Sequence, residues 1–399
     1  MKKSLLTALL AICITSCTLS LKTQPLSKFI DDQLEKSLQQ YELMAVSLID
    51  QPDKLPRTID ANGGLATTSS RGWVSGFVPG SLWYLYEYSH NPAMLEYAKN
   101  YTARIEKEKY NKGTHDLGFM LYCSFGNGFR LTGDTAYQSI MLTGAESLAS
   151  RFNPLIGCIK SWDHNGDKWQ FPVIIDNMMN LEFLFWASKV TGDPKYRNIC
   201  ISHADKTIEN HFRPDYSTYH VVSYDTITGL AEKKNTHQGY ADESAWARGQ
   251  AWGLYGFVVA YRETQDPKYL EQATHIAAFI LNHPNLPVDK IPYWDFNAPD
   301  IPDAKRDASA GAIIASALIE LSGYVDETPS KNYLEVAKTQ IRTLSSPEYF
   351  AEKGTNGNFI LKHSVGHLSG NSEVDVPLTY TDYYYIEALL RLRALKNTK

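Results

Sequence analysis

The chain is short of several features that would place it quickly. It has only five cysteines among 399 residues, none in a CxxC spacing, which argues against a disulfide framework and a thiolate zinc site. It has no HExxH, no Walker loop, no GxGxxG following a strand and no GxSxG elbow, so cofactor and serine-nucleophile chemistries lose support. Lys and Arg form no cluster and the net charge is −5; the basic footprint that nucleic acid demands is missing. No apolar run beyond the first residues is long enough to span a bilayer. No Pro/Ser/Gly-rich linker divides the chain, and 43% hydrophobic residues are ample for one large core. Aromatics, in contrast, are plentiful, with 8 Trp and 25 Tyr. Such side chains fill cores and also make flat platforms for sugars and other ring ligands.

The N-terminus reads MKKSLLTALLAICITSC, two lysines before a short apolar run, which is a secretory signal. Its end, ITSC, resembles a bacterial lipobox, in which Cys17 becomes the lipid-modified first residue. The expectation is an exported lipoprotein, anchored in a membrane and facing the periplasm. Residues 1–17 are then the leader, 18–27 a tether and 28–397 a single catalytic domain. Cys13 leaves with the leader; Cys123, Cys158 and Cys200 read as buried free thiols.

The tether leads into LSKFIDDQLEKSLQQYELM (26–44), where Leu26, Ile30, Leu34, Leu38 and Tyr41 form one helical stripe. Further on the chain echoes itself. TGDTAYQS, TGDPKYRN and TQDPKYLE begin at Thr132, Thr191 and Thr264, each a turn, an Asp, a Tyr three residues on, then helical spacing. Weaker copies cover 90–105 and 328–344. Asp and Pro suit a helix start, and another helix-like segment separates successive copies. The pattern predicts helical hairpins in a ring or stack. Six pairs fit the length: an all-α (α/α)6 barrel with short β pieces at 219–225 and 291–296.

Four stretches carry candidate chemistry. In GTHDLGF (113–119), Asp116 is either a helix N-cap or a functional carboxylate. In FPVIIDNMMN (171–180), five largely apolar residues run into Asp176. It too is a cap, or a carboxyl group kept protonated by its apolar frame and by a second carboxylate such as Asp116. In THQGYADESAWARGQAWGLYGF (236–257), Asp242 is placed to start a helix, and Gly249, Gly253 and Gly256 make a face another segment can approach closely. Arg248 offers a fork matched to a carboxylate, with Trp246 and Trp252 beside it. In SSRGWVSGF (69–77), Trp73 and Phe77 lie four apart and could line a mouth. His220 and Gln238 are isolated polar candidates.

As a set, HDLGF, DNMMNLEFLFWA and SAWARGQAWGLYGF resemble the unsaturated glucuronyl hydrolases of glycoside hydrolase family 88, over residues 26 to 392. The resemblance implies an (α/α)6 barrel with a cavity at one end and no metal or organic cofactor. It implies unsaturated disaccharides and oligosaccharides from polysaccharide lyases as substrates, of glycosaminoglycan type, chondroitin or hyaluronan first. Asp176 matches the acid/base that protonates C4 of the vinyl ether and activates the water added at C5. Asp116 matches the second essential carboxylate. His220, Gln238, Arg248 and Trp252 match substrate-contacting positions; Trp73, Phe77, His115 and Trp246 do so through shorter motifs. The loop 361–380, expected to shape the site beyond the cleaved bond, has no Lys or Arg between Lys362 and Arg391. Two alternatives stay open. One is the related family 105 of unsaturated rhamnogalacturonyl hydrolases. The other is an inverting glycosidase, with carboxylates roughly 6.5–9.5 Å apart around a water.

Overall fold

The computed structural model describes residues 24–397; the leader and Cys17 lie outside the described residues. Helices alternate between an outer and an inner ring in chain order. They are α1 (Leu26–Ser47, outer), α2 (Phe77–Ser89, inner), α3 (Pro92–Ala103, outer), α4 (Asn127–Thr132, inner, continuing a π-helix Gly118–Gly126) and α5 (Thr135–Ala149, outer). Then come α6 (Leu181–Thr191, inner), α7 (Pro194–His211, outer), α8 (Ala247–Thr264, inner), α9 (Pro267–Asn282, outer), α10 (Ala308–Leu321, inner), α11 (Glu327–Leu344, outer) and α12 (Thr379–Asn397, inner). Each inner helix packs on the next and α12 packs back on α2, which closes an (α/α)6 barrel. The first helix begins at Leu26, so the expected tether of 18–27 ends two residues early.

Ring position follows from hydrophobic pattern. Every residue of α10 except Glu320 is buried, and so is Ala247–Ala260 of α8; a helix apolar all round belongs inside. The outer α11 buries one stripe only: Tyr333, Val336, Ala337, Gln340, Ile341 and Leu344. The stripe expected for α1 is also present, around Ile30, Leu34, Leu38 and Tyr41.

The sequence echo is the inner-to-outer turn. Thr132, Thr191 and Thr264 end inner helices, and their hydroxyls donate to the carbonyls of Gly128, Ala187 and Ala260. The same hydroxyls accept the N–H of Asp134, Asp193 and Asp266. Each Asp side chain then caps the following outer helix. The residue between is left-handed: Gly133 (φ 69°), Gly192 (φ 72°) and Gln265 (φ 58°), a conformation glycine adopts without steric cost. Ser89-His90-Asn91 repeats the device with an Asn cap.

Among the described residues, nine short strands sit in the loops. β1 (Leu55–Ile59) pairs with β2 (Leu65–Thr68), and β3 (Phe152–Asn153) with β4 (Cys158–Ile159). β5 (Pro172–Ile174), β6 (Val221–Tyr224) and β7 (Ala231–Asn235) form an antiparallel sheet, and β8 (Ser364–His367) pairs with β9 (Ser372–Val376). β6 lies inside the expected 219–225. The expected strand at 291–296 is only a pair of isolated bridges, Trp246 to Asp295 and Tyr293 to Arg306, because that segment crosses loops rather than running beside a strand.

All six inner helices start at the same end of the barrel. Trp73, ahead of α2, touches Tyr380 at the start of α12, and Arg248 at the start of α8 pairs with Asp307 at the cap of α10. Six helix N-termini thus surround one opening and present partial positive charge to it. α1 starts at the opposite end: its Asp31 pairs with Arg393 near the end of α12 and accepts from Tyr88 near the end of α2.

Candidate active site

β5 runs straight into a 3₁₀ turn, Ile175–Asn180, that carries Asp176 to the barrel mouth. The turn is held from two sides. The Ile175 N–H donates to His220 O, tying it to the start of β6. The glycine face of α8 lies beneath it: a Cβ on Gly256 would sit 2.4 Å from Met178 Cβ, and one on Gly249 3.4 Å from Ile175. The close approach expected of those glycines is therefore made by the segment bearing Asp176.

Neither aspartate caps a helix. The N–H of Phe119, at the start of the π-helix, is accepted by Asn180 Oδ1 at 3.0 Å, so Asp116 is not needed there. Asp176 makes no cap bond either. Both carboxylates are free of structural duty and line a cleft of about 290 Å³ with Trp73, Thr114, His115, Trp162, Gln238 and Arg248, among others. Asp242 does not start α8 either. It binds Asn235 and Thr236 instead, and the helix begins at Ala247 after Trp246.

The two environments push the carboxylates apart. Asp176 is 7% exposed, and its Oδ2 has no hydrogen-bond partner. Burial raises its pKa to about 6, and the nearby Asp116 charge adds to the rise against the pull of Arg248 and His115. Burial acts the same way on Asp116, but there it is outweighed. The His115 ring, with Nε2 at 3.2 Å, the Thr114 hydroxyl at 2.6 Å and the more distant Arg151 hold Asp116 below the usual carboxylate value. One group keeps its proton up to about pH 6 while its neighbour stays ionised, the pattern that separates an acid from a charged partner.

The other expected residues divide by depth. Trp73, His115, Gln238 and Arg248 line the cleft. His220 is buried beside it, its Nε2 3.6 Å from Asp176 Oδ2. Trp246 stacks behind, with His220 at 4.4 Å and the Arg248 guanidinium at 4.3 Å. Phe77 and Trp252 do not line the cleft. Both are fully buried in an aromatic floor with Phe119, Tyr380 and Tyr384. The floor makes the cleft a dead end. Arg248 is already engaged: its Nη atoms donate to the carbonyls of Val365 and Gly366 and approach Asp307 at 3.3 Å. Its Nε is the donor left unpaired.

Sequence reasoning missed Trp162, His164, His237 and His367, which also line the cleft. Trp162 stacks on His164 at 5.1 Å, and its buried indole N–H lacks a partner. His237 and His367 lie 4.7 Å apart. Trp162, His164 and His237 come from irregular loops and His367 ends the short strand β8, too brief for a periodicity to flag it; the adjacency of His237 to Gln238 was the one available signal. Among the described residues, no group of three or more His, Cys, Asp or Glu is gathered as a metal site.

The family model of Glycosyl Hydrolase Family 88 matches residues 50–392. The chain belongs to glycosyl hydrolase family 88. This family 88 chain is 49% identical over 327 residues to the unsaturated glucuronyl hydrolase of Formosa agariphila, covering 82% of this chain and 81% of that protein. It superimposes on the crystal structure of an unsaturated glucuronyl hydrolase specific for heparin with a TM-score of 0.90 and 48% identity, over 93% of this chain and 98% of that one. A mutant of the Streptococcus agalactiae unsaturated glucuronyl hydrolase complexed with dGlcA-GalNAc6S gives a TM-score of 0.79 at 28% identity, over 94% and 95%. Like those enzymes, this member of family 88 is a hydrolase.

Proposed function

We propose that this family 88 hydrolase removes the terminal 4,5-unsaturated uronate from short, lyase-generated saccharides of glycosaminoglycan type. The observation that carries the reading is Asp176, a carboxyl group in the cleft whose pKa burial raises to about 6 and which caps no helix. Protonating a carbon is difficult, and an acid with a pKa near the working pH is suited to it. Asp176 delivers its proton to C4 of the vinyl ether. Positive charge then builds at C5 and on the ring oxygen, where the new Asp176 anion stabilises it. Asp176 next takes a proton from water as the hydroxyl adds at C5, which restores the acid. The C5 hemiketal opens, and the hemiacetal left at C1 expels the neighbouring sugar. Asp116, ionised, is suited to accept from ring hydroxyls. The six helix starts favour the uronate carboxylate, and the aromatic floor admits only a chain end.

A panel of lyase products followed by loss of the C4=C5 ultraviolet absorbance tests this. Chondroitin, hyaluronan and heparin-type disaccharides are expected to bleach; pectin-lyase products and saturated glycosides are not. Activity falls as pH rises through about 6, where Asp176 loses its proton. Of the cleft-lining residues only Arg248 carries a permanent positive charge, and burial pushes His237 down to about 4. Unsulfated disaccharides should therefore outrun sulfated ones at neutral pH. Cleavage of saturated substrates at comparable rates would favour the inverting glycosidase instead.

The leader supports a second part of the proposal: the enzyme is exported and anchored by lipid on Cys17. The parent should fractionate with membranes and Cys17→Ala should not; a parent found wholly in the soluble fraction contradicts the anchor.

A further inference from the structure

The pair formed by Asp176 and His220 says more than that both are near the substrate. His220 precedes β6, and its ring is boxed in. Trp246 lies on one face at 4.4 Å, and Nδ1 accepts the backbone N–H groups of His237 at 3.2 Å and Gln238 at 3.1 Å. A ring nitrogen accepting two N–H donors has a lone pair there and no proton. A neutral imidazole must then carry its single proton on Nε2. That atom is wholly buried, unpaired and 3.6 Å from the equally buried, unpaired Asp176 Oδ2. The separation is just longer than a hydrogen bond, and such contacts tighten when substrate closes the site. We infer that His220 is a fixed Nε2–H donor that reserves Asp176 Oδ2 for itself and so confines the transferable proton of Asp176 to Oδ1. It is a positioning residue for the acid, not a base.

The inference rests on the hydration reading above and deepens it. Before reaction, an acid proton on Oδ2 would point at another N–H and is excluded, so Oδ1 holds it. As that proton moves from Oδ1 to C4, negative charge appears on the carboxylate, and the Nε2–H to Oδ2 contact becomes charge-assisted, which strengthens it. When water adds at C5, its proton returns to Oδ1. His220 neither gains nor loses a proton at any step. Its own protonation is disfavoured: burial pushes the ring well below the usual imidazole value, and His237, Arg248, His367 and His211 oppose a further positive charge. The other charged groups facing the pair are His115 and Asp116, ahead of the π-helix.

His220→Phe removes the donor, and His220→Gln keeps a neutral N–H donor near the Nε2 position. A hydrogen bond to a charged group is worth about 1.5–3 kcal/mol, or roughly a tenfold to hundredfold change in rate. His220→Phe should therefore lose that much in kcat. Its alkaline limb in kcat, which reports the substrate-bound enzyme where the contact has tightened, should move to higher pH by on the order of one pH unit, because the Asp176 anion is less stabilised. His220→Gln should recover most of both. A side chain that only touches substrate or fills space would change KM or stability without moving the limb. An unmoved limb in His220→Phe, or a Gln variant no better than Phe, overturns the assignment. Imidazole ¹⁵N–¹H correlation on the intact wild-type protein, with His220 identified by its absence in His220→Gln, decides the tautomer without any assay. A proton on Nε2 at neutral pH supports the inference and one on Nδ1 overturns it. That spectrum stands whether or not vinyl uronates are bleached, so failure of this inference is distinct from failure of the functional reading.

Discussion

Asp176→Asn is expected to fold and to lose on the order of 10³–10⁴-fold in the bleaching assay, the upper range for removal of a positioned acid. Asn matches the neutral carboxyl in size but has no proton to give to carbon. The same substitution should stabilise the fold at neutral pH. The folded-state pKa of Asp176, about 6, lies above the unfolded value of about 3.9. The stability this group contributes is fully present below about pH 4 and is lost as pH rises through about 6. A difference of two pH units corresponds to about 3 kcal/mol. Urea unfolding should therefore show parent and Asp176→Asn alike at pH 4, with the variant more stable at pH 7.5. A variant that still bleaches at parental rates removes Asp176 from the acid role. One no more stable at pH 7.5 shows that the site does not strain against the ionised form.

Arg248→Ala carries the second large effect, and it is not only a binding effect. From sequence the guanidinium reads as a clamp for the uronate carboxylate. In the fold its fork also holds the β8–β9 hairpin through the carbonyls of Val365 and Gly366, and it faces Asp307, which is itself fully buried. Removing one member of a buried ion pair leaves the other without compensation, a loss of about 3–5 kcal/mol. Gln238, through Gly366, and His367 and Ser369, through the His237 carbonyl, would then be left to tie the hairpin across the cleft. Arg248→Ala should unfold at markedly lower denaturant and raise KM together. Arg248→Lys should rescue little, since a point charge lacks the planar fork. An Arg248→Ala protein of parental stability would mean that the hairpin is held elsewhere.

What could be read from the chain, and what could not, follows the range of the interactions. The inner-to-outer turn is local, so Thr132, Gly133 and Asp134 already announce it. Ring position is written in each helix's own pattern, all-round apolar in α10 and striped in α11. The paired aspartates were legible as candidates, but the choice between cap and acid was not. It depends on Asn180, which is 61 residues from the Phe119 N–H it accepts. Depth was lost for a similar reason. Trp252 is four residues beyond Arg248 in α8, one helical turn of about 5.4 Å, and Phe77 opens α2 four residues beyond Trp73. Each four-residue step goes from the cleft wall into the floor. Trp162, His164, His237 and His367 meet only because separate loops and the end of β8 converge over the mouth, and no periodicity marks such residues.

The opposed placement of α1 and the cleft sets how the barrel would sit on a leash. Anything fastened ahead of Leu26 leaves from the base, beside Asp31, Tyr88 and Arg393, while the entrance looks the other way. Were the proposed lipid on Cys17 to moor it by that end, the doorway would face the surrounding fluid and be open to small fragments drifting in rather than to polymer lying along the surface that holds it.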